Sequence, residues 1–408
     1  MSMIERYEND IEKSIRDIKS SQKPVVLFGA AAAGVLAHAV LKHMDINVLC
    51  YGDNSEKKQG LLFNGLPVFS AQDIKNQYPD AIVFVCAASK DIRMKLHSQL
   101  KNMEFSNVLE IDKLAHLFLK YKLFKKLPSE DAVEIMALIS QVFYSKEQRD
   151  MLIINAIELS VTERCNLRCK DCANGMQYYK RPVHYEKETM INAFKRIADA
   201  ADIVELVRIM GGEPFLHPEL HSILDELSKI HNVNQIEIIT NGTILPDSET
   251  IKIISKCNAI VYVSNYGELS VEKEEIRKVC EESNISCILD SKNNGWDDFG
   301  AFECKGRTLA ENEIVFQECI ANKNYNTLRS GKYYHCPRSA HGANLGVIPE
   351  DNSDSINILT SSMSTAELRT RLKEFICNVK NIAACDFCNS TGSANKLPRI
   401  PAAIQIKK

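Results

Sequence analysis

The chain has 408 residues, of which 45% are hydrophobic and 25% are charged, and its formal net charge is −3. This length predicts two or three domains, and the balance of charge argues against nucleic acid as a main partner. The first ten residues are polar, and no uncharged apolar run reaches the roughly 18–20 residues of a membrane span. We expect a cytoplasmic protein with no membrane partner, in which clustered cysteines bind metal rather than pair as disulfides.

The N-terminal region alternates between predicted helices and strands. An amphipathic helix over 1–20 precedes four apolar runs that predict strands with helical segments between them: 24–28, 46–51, 81–86 and 107–111. This alternation predicts a Rossmann-like, doubly wound α/β domain over residues 1–125. We assign the mixed helical stretch at 126–155 to a linker.

The turn after the first strand contains a candidate nucleotide site. Gly29 and Gly34 match the outer glycines of G-x-G-x-x-G, with Ala31 at the middle position, and Asp53 follows the next strand. Such a turn holds a phosphate at a helix N-terminus and places an acidic side chain on a ribose. The alternative is a Rossmann-like domain that packs or dimerises without a ligand. Residues 25–68 resemble the domain found beside sugar-modifying transferases, which implies a nucleotide-sugar or related ligand.

A second β/α series begins near residue 156. Its apolar runs predict five strands with helices between them: 156–161, 203–210, 236–240, 259–264 and 285–289. The series predicts a partial (β/α)6 TIM-like barrel over 156–310, with its functional groups on the loops that follow the strands. Residues 311–408 do not continue this alternation of strands and helices, and we expect them to form a small cysteine-rich domain.

Three cysteines follow the first barrel strand. Cys165, Cys169 and Cys172 fall within eight residues, so one loop can bring them to one metal centre. Iron–sulfur clusters usually take four thiolates, and a three-cysteine [4Fe–4S] cluster leaves one iron free for another ligand. The spacing alone leaves two alternatives open, a zinc site completed by a distant ligand and three unrelated cysteines.

A glycine-rich loop follows the second barrel strand. Gly211 and Gly212 let the backbone approach a ligand closely, and Glu213 adds a carboxylate, so the loop suits an ammonium group. The Cys-x3-Cys-x2-Cys triplet followed by Gly-Gly-Glu-Pro resembles the signature of the radical S-adenosylmethionine (SAM) superfamily over residues 156–310. One position departs from that family, because Asp171 stands where many members have an aromatic residue that packs on adenine.

The resemblance implies cofactors, a redox partner and a set of site residues. SAM is expected to chelate the free iron of the [4Fe–4S] cluster, and a flavodoxin- or ferredoxin-type protein is expected to supply the electron. The residues expected to contact SAM follow successive strands: Gly211, Gly212, Glu213, Thr240, Asn241, Gly242 and Ser264. Hydrogen abstraction by a 5′-deoxyadenosyl radical is the expected chemistry, supplied by the cofactor and oriented by the protein.

Four further cysteines predict a second metal site: Cys319, Cys336, Cys385 and Cys388. Four thiolates saturate a [4Fe–4S] cluster, although a structural zinc site or unconnected core cysteines are alternatives. The spacing resembles the twitch form of the SPASM domain, which implies an auxiliary cluster, with Cys304 as a substitute ligand. It is also similar to that of radical SAM dehydrogenases that act on aminocyclitols, which implies an auxiliary cluster that accepts an electron in a two-electron oxidation.

A polar loop over 287–300 supplies candidate substrate residues. It holds the only tryptophan, Trp296, followed by Asp297 and Asp298, which suit stacking on a sugar and removal of an alcohol proton. A solvated loop without chemistry is the alternative. Two tyrosines and an arginine after the triplet are further candidates for lining the cavity: Tyr178, Tyr179 and Arg181.

We therefore expect a radical SAM enzyme, an oxidoreductase, that oxidises, epimerises or dehydrates a carbohydrate-type or nucleotide-sugar substrate. A peptide maturase of the SPASM type is one alternative, but such enzymes usually carry a winged-helix region where this chain shows a βαβ pattern. A non-catalytic, metal-stabilised binding protein is another, and the intact triplet and glycine loop argue against it. Substrate identity and reaction outcome stay open, because twitch modules serve several chemistries.

Overall fold

The computed structural model describes residues 3–87, 89–126, 135, 151–290, 295–319, 321, 325–350, 354–359, 362–391 and 395–406. The chain divides into two compact units, Met1–Arg149 and Asp150–Lys408. Most of the predicted linker at 126–155 lies outside the described residues. None of the described helices combines the length and the apolar character that crossing a bilayer requires.

The first unit contains a six-stranded sheet. Its strands β1–β6 are Val25–Phe28, Cys50–Gly52, Leu62–Phe63, Leu66–Phe69, Ile82–Val85 and Asn107–Glu110. Its helices are Met3–Ser21, Ala32–His43, Ala71–Gln77, Lys90–Asn102 and Asp112–Lys120. The strand order is β3-β4-β2-β1-β5-β6, and every pairing except β3–β4 is parallel. The chain therefore winds outward in two directions from β1, which confirms the Rossmann-like prediction.

One hairpin in this unit was missed from sequence. β3 and β4 are joined by Asn64 and Gly65, which both have positive φ, at 47° and 78°. Asn-Gly is the residue pair that favours a tight two-residue turn of this hand, so the signal was present in the chain. The flanking strands are apolar but only two and four residues long, and most of their residues are exposed or half-buried.

The second unit is built on a larger sheet. Its strands β7–β15 are Ile153–Ile154, Ile157–Thr162, Ile203–Gly211, Val233–Thr240, Ile260–Val263, Ser286–Leu289, Asn326–Arg329, Lys332–Tyr334 and Ser355–Asn357. Its helices are Lys187–Ala200, Leu220–Ser228, Ser248–Cys257, Lys273–Glu282, Leu309–Glu318, Pro337–Asn344 and Thr365–Asn378. The order is β12-β11-β10-β9-β8-β13-β14-β15, with β7 beside β9.

The neighbouring strands from β12 to β13 are all parallel, which makes six βα-type strands in an open, partial barrel. The sixth, β13, comes from the region that the sequence assigned to a separate cysteine-rich domain, and it pairs with β8. β14 and β15 continue the sheet in antiparallel fashion. β13 has the sequence Asn-Thr-Leu-Arg. It is buried although only one of its residues is apolar, so no apolar run marks it in the sequence.

Three charged side chains lie in one row across the middle of this sheet. Glu158 on β8, Arg208 on β9 and Glu237 on β10 are register partners, and all three are buried. Arg208 Nε donates to Glu237 Oε2 at 2.8 Å. Burial raises the pKa of Glu158 to about 7, although Arg208 opposes that shift. The guanidinium therefore compensates acidic groups on both neighbouring strands.

We predict that Arg208→Met strongly destabilises the second unit, by about 3–5 kcal/mol, because it leaves the Glu237 carboxylate buried without its partner. Unfolding in guanidinium chloride can be followed by the fluorescence of Trp296. Because this is the only tryptophan of the chain, its signal reports the free energy of unfolding of the second unit alone. Lys229→Met removes an exposed lysine that pairs with Asp225 and Glu226, and should leave the unfolding midpoint nearly unchanged. Equal midpoints for the two variants would contradict the prediction.

Candidate functional site

The parallel strands of the second unit end at one edge of the sheet, and the predicted cofactor residues follow them there. One cavity at this edge is lined by eight of these residues: Cys165, Cys169, Cys172, Gly211, Gly212, Thr240, Asn241 and Ser264. Two other predicted residues, Glu213 and Gly242, do not line it. Loops that are far apart in the chain thus converge because parallel strands share their carboxyl-end edge.

The two glycines are required by the close approach of the cysteine loop. A Cβ atom at Gly211 would lie 2.3 Å from the Thr162 carbonyl oxygen, and one at Gly212 would lie 2.1 Å from that of Arg164. Gly212 N–H donates to Thr162 O at 2.8 Å, and Glu213 N–H donates to Arg164 O at 2.8 Å. The loop after β9 therefore holds the first residues of the cysteine loop in place through backbone hydrogen bonds and close packing.

Glu213 holds the neighbouring strand end in place. Its carboxylate accepts hydrogen bonds from Thr240 Oγ1 (2.8 Å), Asn241 N (2.8 Å) and Phe215 N (3.1 Å). Its side chain is fully buried, and burial raises its pKa to about 7 in spite of these donors. In this structure the carboxylate supports the cavity wall, and its contact with a ligand ammonium group stays a prediction.

Three asparagines connect the cysteine loop to the sheet, and the sequence analysis singled out only one of them, Asn241. Asn241 Nδ2 donates to Asn166 Oδ1 at 3.0 Å and lies 3.7 Å from Cys165 Sγ. Asn166 in turn donates to Thr243 Oγ1 at 2.6 Å, and Asn174 donates to Gly211 O at 3.2 Å. Amide side chains cross-link loops without adding charge, and no spacing pattern marks them in the sequence.

The three thiols of the cavity are electrically neutral in this environment. Burial raises the pKa of Cys165 to about 12 and that of Cys169 to about 11, and it also raises the pKa of Cys172. Thiolate is the form that binds metal, so loading iron here must displace protons. Among the described residues no three His, Cys, Asp or Glu side chains group closely enough to hold a single metal ion.

Residues 404–406 pair with the cysteine loop, and sequence analysis did not predict this contact. Lys170 N–H donates to Ile404 O at 2.7 Å, and Ile406 N–H donates to Arg168 O at 2.8 Å. Gln405 Nε2 donates to Cys169 Sγ at 3.2 Å, and this bond opposes the effect of burial on the pKa of that thiol. The loop is thus anchored on its outer side as well as at the sheet.

Aromatic residues line the cavity beside the cysteines. Tyr266 and Trp296 lie edge to face with ring centroids 5.5 Å apart, and Phe299 also lines the cavity. The two candidate aspartates do not line it, because Asp297 lies 3.5 Å from the Arg399 guanidinium and Asp298 accepts from Gly300 N–H at 2.8 Å. Their catalytic role stays a prediction, and residues 291–294 of this loop lie outside the described residues.

The tyrosines after the triplet are placed differently from each other. Tyr179 is hydrogen-bonded to the buried His341 at 2.9 Å, whereas Tyr178 is exposed and packs edge to face on Phe302. Arg181 is also exposed. None of the three lines the cavity.

The four cysteines of the second predicted site come together. Burial raises the pKa of Cys336 well above its usual range, and the nearby thiols of Cys319, Cys385 and Cys388 add to that effect. Backbone N–H groups of residues 339 and 390 donate to the sulfurs of Cys336 and Cys388 at 3.4 and 3.2 Å. These are four soft ligands in an apolar pocket, which suits a [4Fe–4S] cluster.

Cys304 does not point its thiol at a metal position in this arrangement. It is exposed, and its Sγ donates to Asp386 Oδ2 at 3.0 Å. The other oxygen of Asp386 accepts from Arg307 N–H at 2.8 Å, and the Arg307 guanidinium donates to the carbonyls of Cys385 and Cys388. The segment around Cys304 thus covers the Cys-x2-Cys turn from outside.

The predicted nucleotide residues of the first unit form a closed turn. A Cβ at Gly29 would lie 2.0 Å from Cys86 O, and one at Gly34 would lie 2.4 Å from Gly29 O, so both glycines serve close packing. Asp53 accepts from Ala30 N–H and from Lys58 Nζ, each at 3.0 Å. The carboxylate is engaged with the turn itself, which agrees with the packing alternative, and ligand binding here stays a prediction.

Comparison with family models supports the cavity assignment. Residues 159–286 match the model of the radical SAM superfamily, a range that includes the triplet, the glycine loop and the strand ends through β11. Residues 20–106 match a model described as C2185-like, N-terminal.

Curated relatives match a part of the chain. They include GTP 3′,8-cyclase of Clostridium acetobutylicum, 39% identical over 94 residues (23% of this chain and 29% of the relative), and that of Aquifex aeolicus, 30% identical over 128 residues (30% and 38%). Molybdenum cofactor biosynthesis protein 1 of Dictyostelium discoideum is 33% identical over 91 residues (22% and 14%). The chain thus spans well under half the length of these relatives.

Solved structures are less similar to this chain in sequence than the curated relatives are. BtrN in complex with AdoMet and 2-DOIA has a TM-score of 0.38 and 15% identity, covering 60% of this chain and 96% of that one. Streptococcus suis SuiB bound to the precursor peptide SuiA has a TM-score of 0.34 and 13% identity, covering 67% and 80%. Residues 159–286 thus match the radical SAM superfamily in sequence, and the triplet and glycine loop within them share one cavity.

Proposed function

We propose that this chain is a radical SAM enzyme with two [4Fe–4S] clusters, which abstracts a hydrogen atom from a nucleotide-sugar or related carbohydrate-type substrate. One observation supports this most directly. The three thiols of the triplet, both glycines of the next loop and the polar ends of β10 and β11 line a single cavity. Three soft ligands and a backbone shaped for close approach fit a cluster with one iron left for SAM.

The proposal gives roles to the residues of the cavity. Cys165, Cys169 and Cys172 would hold the cluster, which, when reduced and bound to SAM, supplies the 5′-deoxyadenosyl radical. Backbone carbonyl groups of Gly211 and Gly212, which line the cavity, would bind the ammonium group of SAM. Glu213 would orient the last residue of β10 and the residue after it through the hydrogen bonds that it already accepts.

The other wall of the cavity suits the organic part of the ligands. Tyr266, Trp296 and Phe299 offer flat apolar surfaces for a purine or a sugar ring, and they exclude water from the reacting atoms. Because Trp296 lines the cavity and the two aspartates that follow it do not, we propose Trp296 as the substrate-contacting residue of this loop.

The four-cysteine site would supply the electron acceptor that an oxidation needs. Converting an alcohol to a ketone removes one hydrogen atom, then one proton and one further electron, so the protein must provide an electron acceptor. Cys319, Cys336, Cys385 and Cys388 would hold a saturated cluster in that role. A flavodoxin- or ferredoxin-type protein would supply the reducing electron for SAM cleavage.

Two observations favour a nucleotide-linked substrate. Curated relatives of part of the chain are named for a reaction of GTP. The first unit has a Rossmann-like sheet, a fold that binds nucleotides where the strand order reverses. The loop after β1, with Gly29, Gly34 and Asp53, lies at that reversal and is the proposed nucleotide site of this unit.

The principal test is SAM cleavage by the anaerobically reconstituted protein with dithionite. We expect about eight irons per chain and formation of 5′-deoxyadenosine. Replacing Cys165, Cys169 and Cys172 together by alanine should reduce iron to about four per chain and abolish 5′-deoxyadenosine, because the SAM-binding cluster is lost. Cys377→Ala changes an exposed cysteine and is the matched control. Zinc in place of iron, or no product from a loaded cluster, would favour a non-catalytic binding protein.

The substrate class is tested by isotope transfer. Incubation with nucleotide-sugars that are deuterated on the sugar ring should place deuterium in 5′-deoxyadenosine, because the radical takes hydrogen from the substrate carbon. Trp296→Ala should reduce this transfer more than it reduces SAM cleavage without substrate. Label transfer from a peptide instead of every sugar tested would replace this substrate class with that of a peptide maturase.

Gln405→Leu should weaken iron retention at the three-cysteine site about tenfold or more, since a hydrogen bond to a charged thiolate contributes roughly 1.5–3 kcal/mol. Iron release to a chelator, followed by absorbance under anaerobic conditions, measures the effect. Ile404→Ala is the control, because that side chain is exposed and the segment pairs through backbone atoms. Identical release from both variants would show that the Gln405 side chain does not stabilise the cluster.

A further inference from the structure

One buried arginine lies between the two cysteine sets. Arg338 follows Cys336 on the helix Pro337–Asn344 and is only 4% exposed. Its guanidinium donates to the carbonyl of Phe387, inside the Cys385-x-x-Cys388 turn, at 3.0 Å, and to that of Gly300 at 2.7 Å. It is therefore fixed against the turn that carries two of the four cysteines.

The same guanidinium is linked to the three-cysteine loop by an aromatic ring. Its central carbon lies 3.9 Å from the ring centroid of Phe302. That ring packs directly on Gly175, where a Cβ would lie 2.7 Å from it. Gly175 N–H in turn donates to Cys172 O at 3.0 Å. An unbroken chain of contacts thus runs from one cysteine set, through Phe302 and Arg338, to the other.

Among the described residues, no carboxylate balances the charge of Arg338. Within the part of the chain that the structure describes, no Asp or Glu oxygen lies within 4.0 Å of this guanidinium, and its polar contacts there are neutral carbonyls. Burying an unpaired charge is costly, and buried charges are normally paired or bound to metal centres. The neighbouring groups that can acquire negative charge are Tyr178 and the cysteines on both sides, and the cysteines acquire it when they bind iron.

The guanidinium of Arg338 lies beside the ligands of the four-cysteine site, because it is bonded to the carbonyl of the residue between Cys385 and Cys388. A cluster with cysteinate ligands is an anion that gains a further negative charge on reduction. Net charge and hydrogen bonding near a cluster set its potential, so a fixed cation in a dry site stabilises the reduced form.

We propose that Arg338 is a positioning residue for electron transfer, a buried cation that raises the reduction potential of the cluster held by Cys319, Cys336, Cys385 and Cys388. The inference rests on the proposed function, since it requires that this site hold an iron–sulfur cluster. Arg338 is two residues from Cys336 and bonds inside the Cys385–Cys388 turn, whereas it reaches Cys172 only through Phe302. The effect is therefore larger at the four-cysteine site than at the three-cysteine site.

The test uses full-length protein in which Cys165, Cys169 and Cys172 are alanine, so that the four-cysteine site alone holds iron. A redox titration followed by electron paramagnetic resonance gives its midpoint potential. Arg338→Gln should lower the ratio of reduced to oxidised cluster at a given potential about tenfold, a shift of about 59 mV for one electron. Arg338→Lys keeps the charge and should retain most of the potential.

Two further variants separate charge from damage to the fold. Arg369→Gln removes a guanidinium that contacts Ala200 O and Asp202, and should leave the potential unchanged. Phe302→Leu keeps Arg338 but admits water, which screens the charge of the guanidinium. We therefore expect it to lower the midpoint potential, by less than Arg338→Gln does. This variant also decides the question if Arg338→Gln fails to assemble its cluster.

The outcomes distinguish the inference from the function on which it rests. If the triple-alanine protein with Arg338 intact holds no iron–sulfur cluster, the proposed auxiliary cluster is wrong. If it holds the cluster and Arg338→Gln or Phe302→Leu leaves the potential unchanged, the role of Arg338 is wrong. An equal fall for Arg338→Lys and Arg338→Gln would also overturn it, because lysine preserves the charge.

Discussion

The close approach of the Gly211–Gly212 backbone to the start of the cysteine loop is the constraint on which the site depends. The backbone N–H groups of residues 212 and 213, after β9, donate to the carbonyls of residues 162 and 164, at the end of β8. These bonds can form only because neither Gly211 nor Gly212 carries a Cβ. This contact fixes the first cysteine relative to the sheet. Glu213, which follows directly, extends the same rigid arrangement to the end of β10. Loop position is therefore set by backbone geometry, before any metal or cofactor binds.

Much of this arrangement was predictable because its signals are local. The triplet, the glycine loop and the apolar runs of β8 to β12 are continuous in sequence, and parallel strands necessarily bring their following loops to one edge. Contacts from distant segments gave no such signal. Gln405 pairs with Cys169 from 236 positions away, and β13 is buried although it is mostly polar. The Asn64-Gly65 turn is the exception, since its residue pair was visible and was overlooked.

Composition predicts what a side chain can do, but packing decides what it faces. Asp297 and Asp298 have the right chemistry for an active-site base, yet they are held by Arg399 and by the backbone of their own loop. Asp53 similarly contacts its own glycine turn. Trp296, which was noted as one of three adjacent candidates, is the one that lines the cavity. A sequence pattern cannot tell these neighbours apart, because their directions depend on contacts with residues far along the chain.

The pairing of residues 404–406 with the cysteine loop also bears on how the protein is made. Gln405 is synthesised 236 positions after Cys169, so it cannot meet that cysteine until the intervening residues have been added. During that interval the nascent chain carries its triplet without its outer anchor. The order of biosynthesis thus leaves this side of the loop uncovered until the last residues of this contact are made.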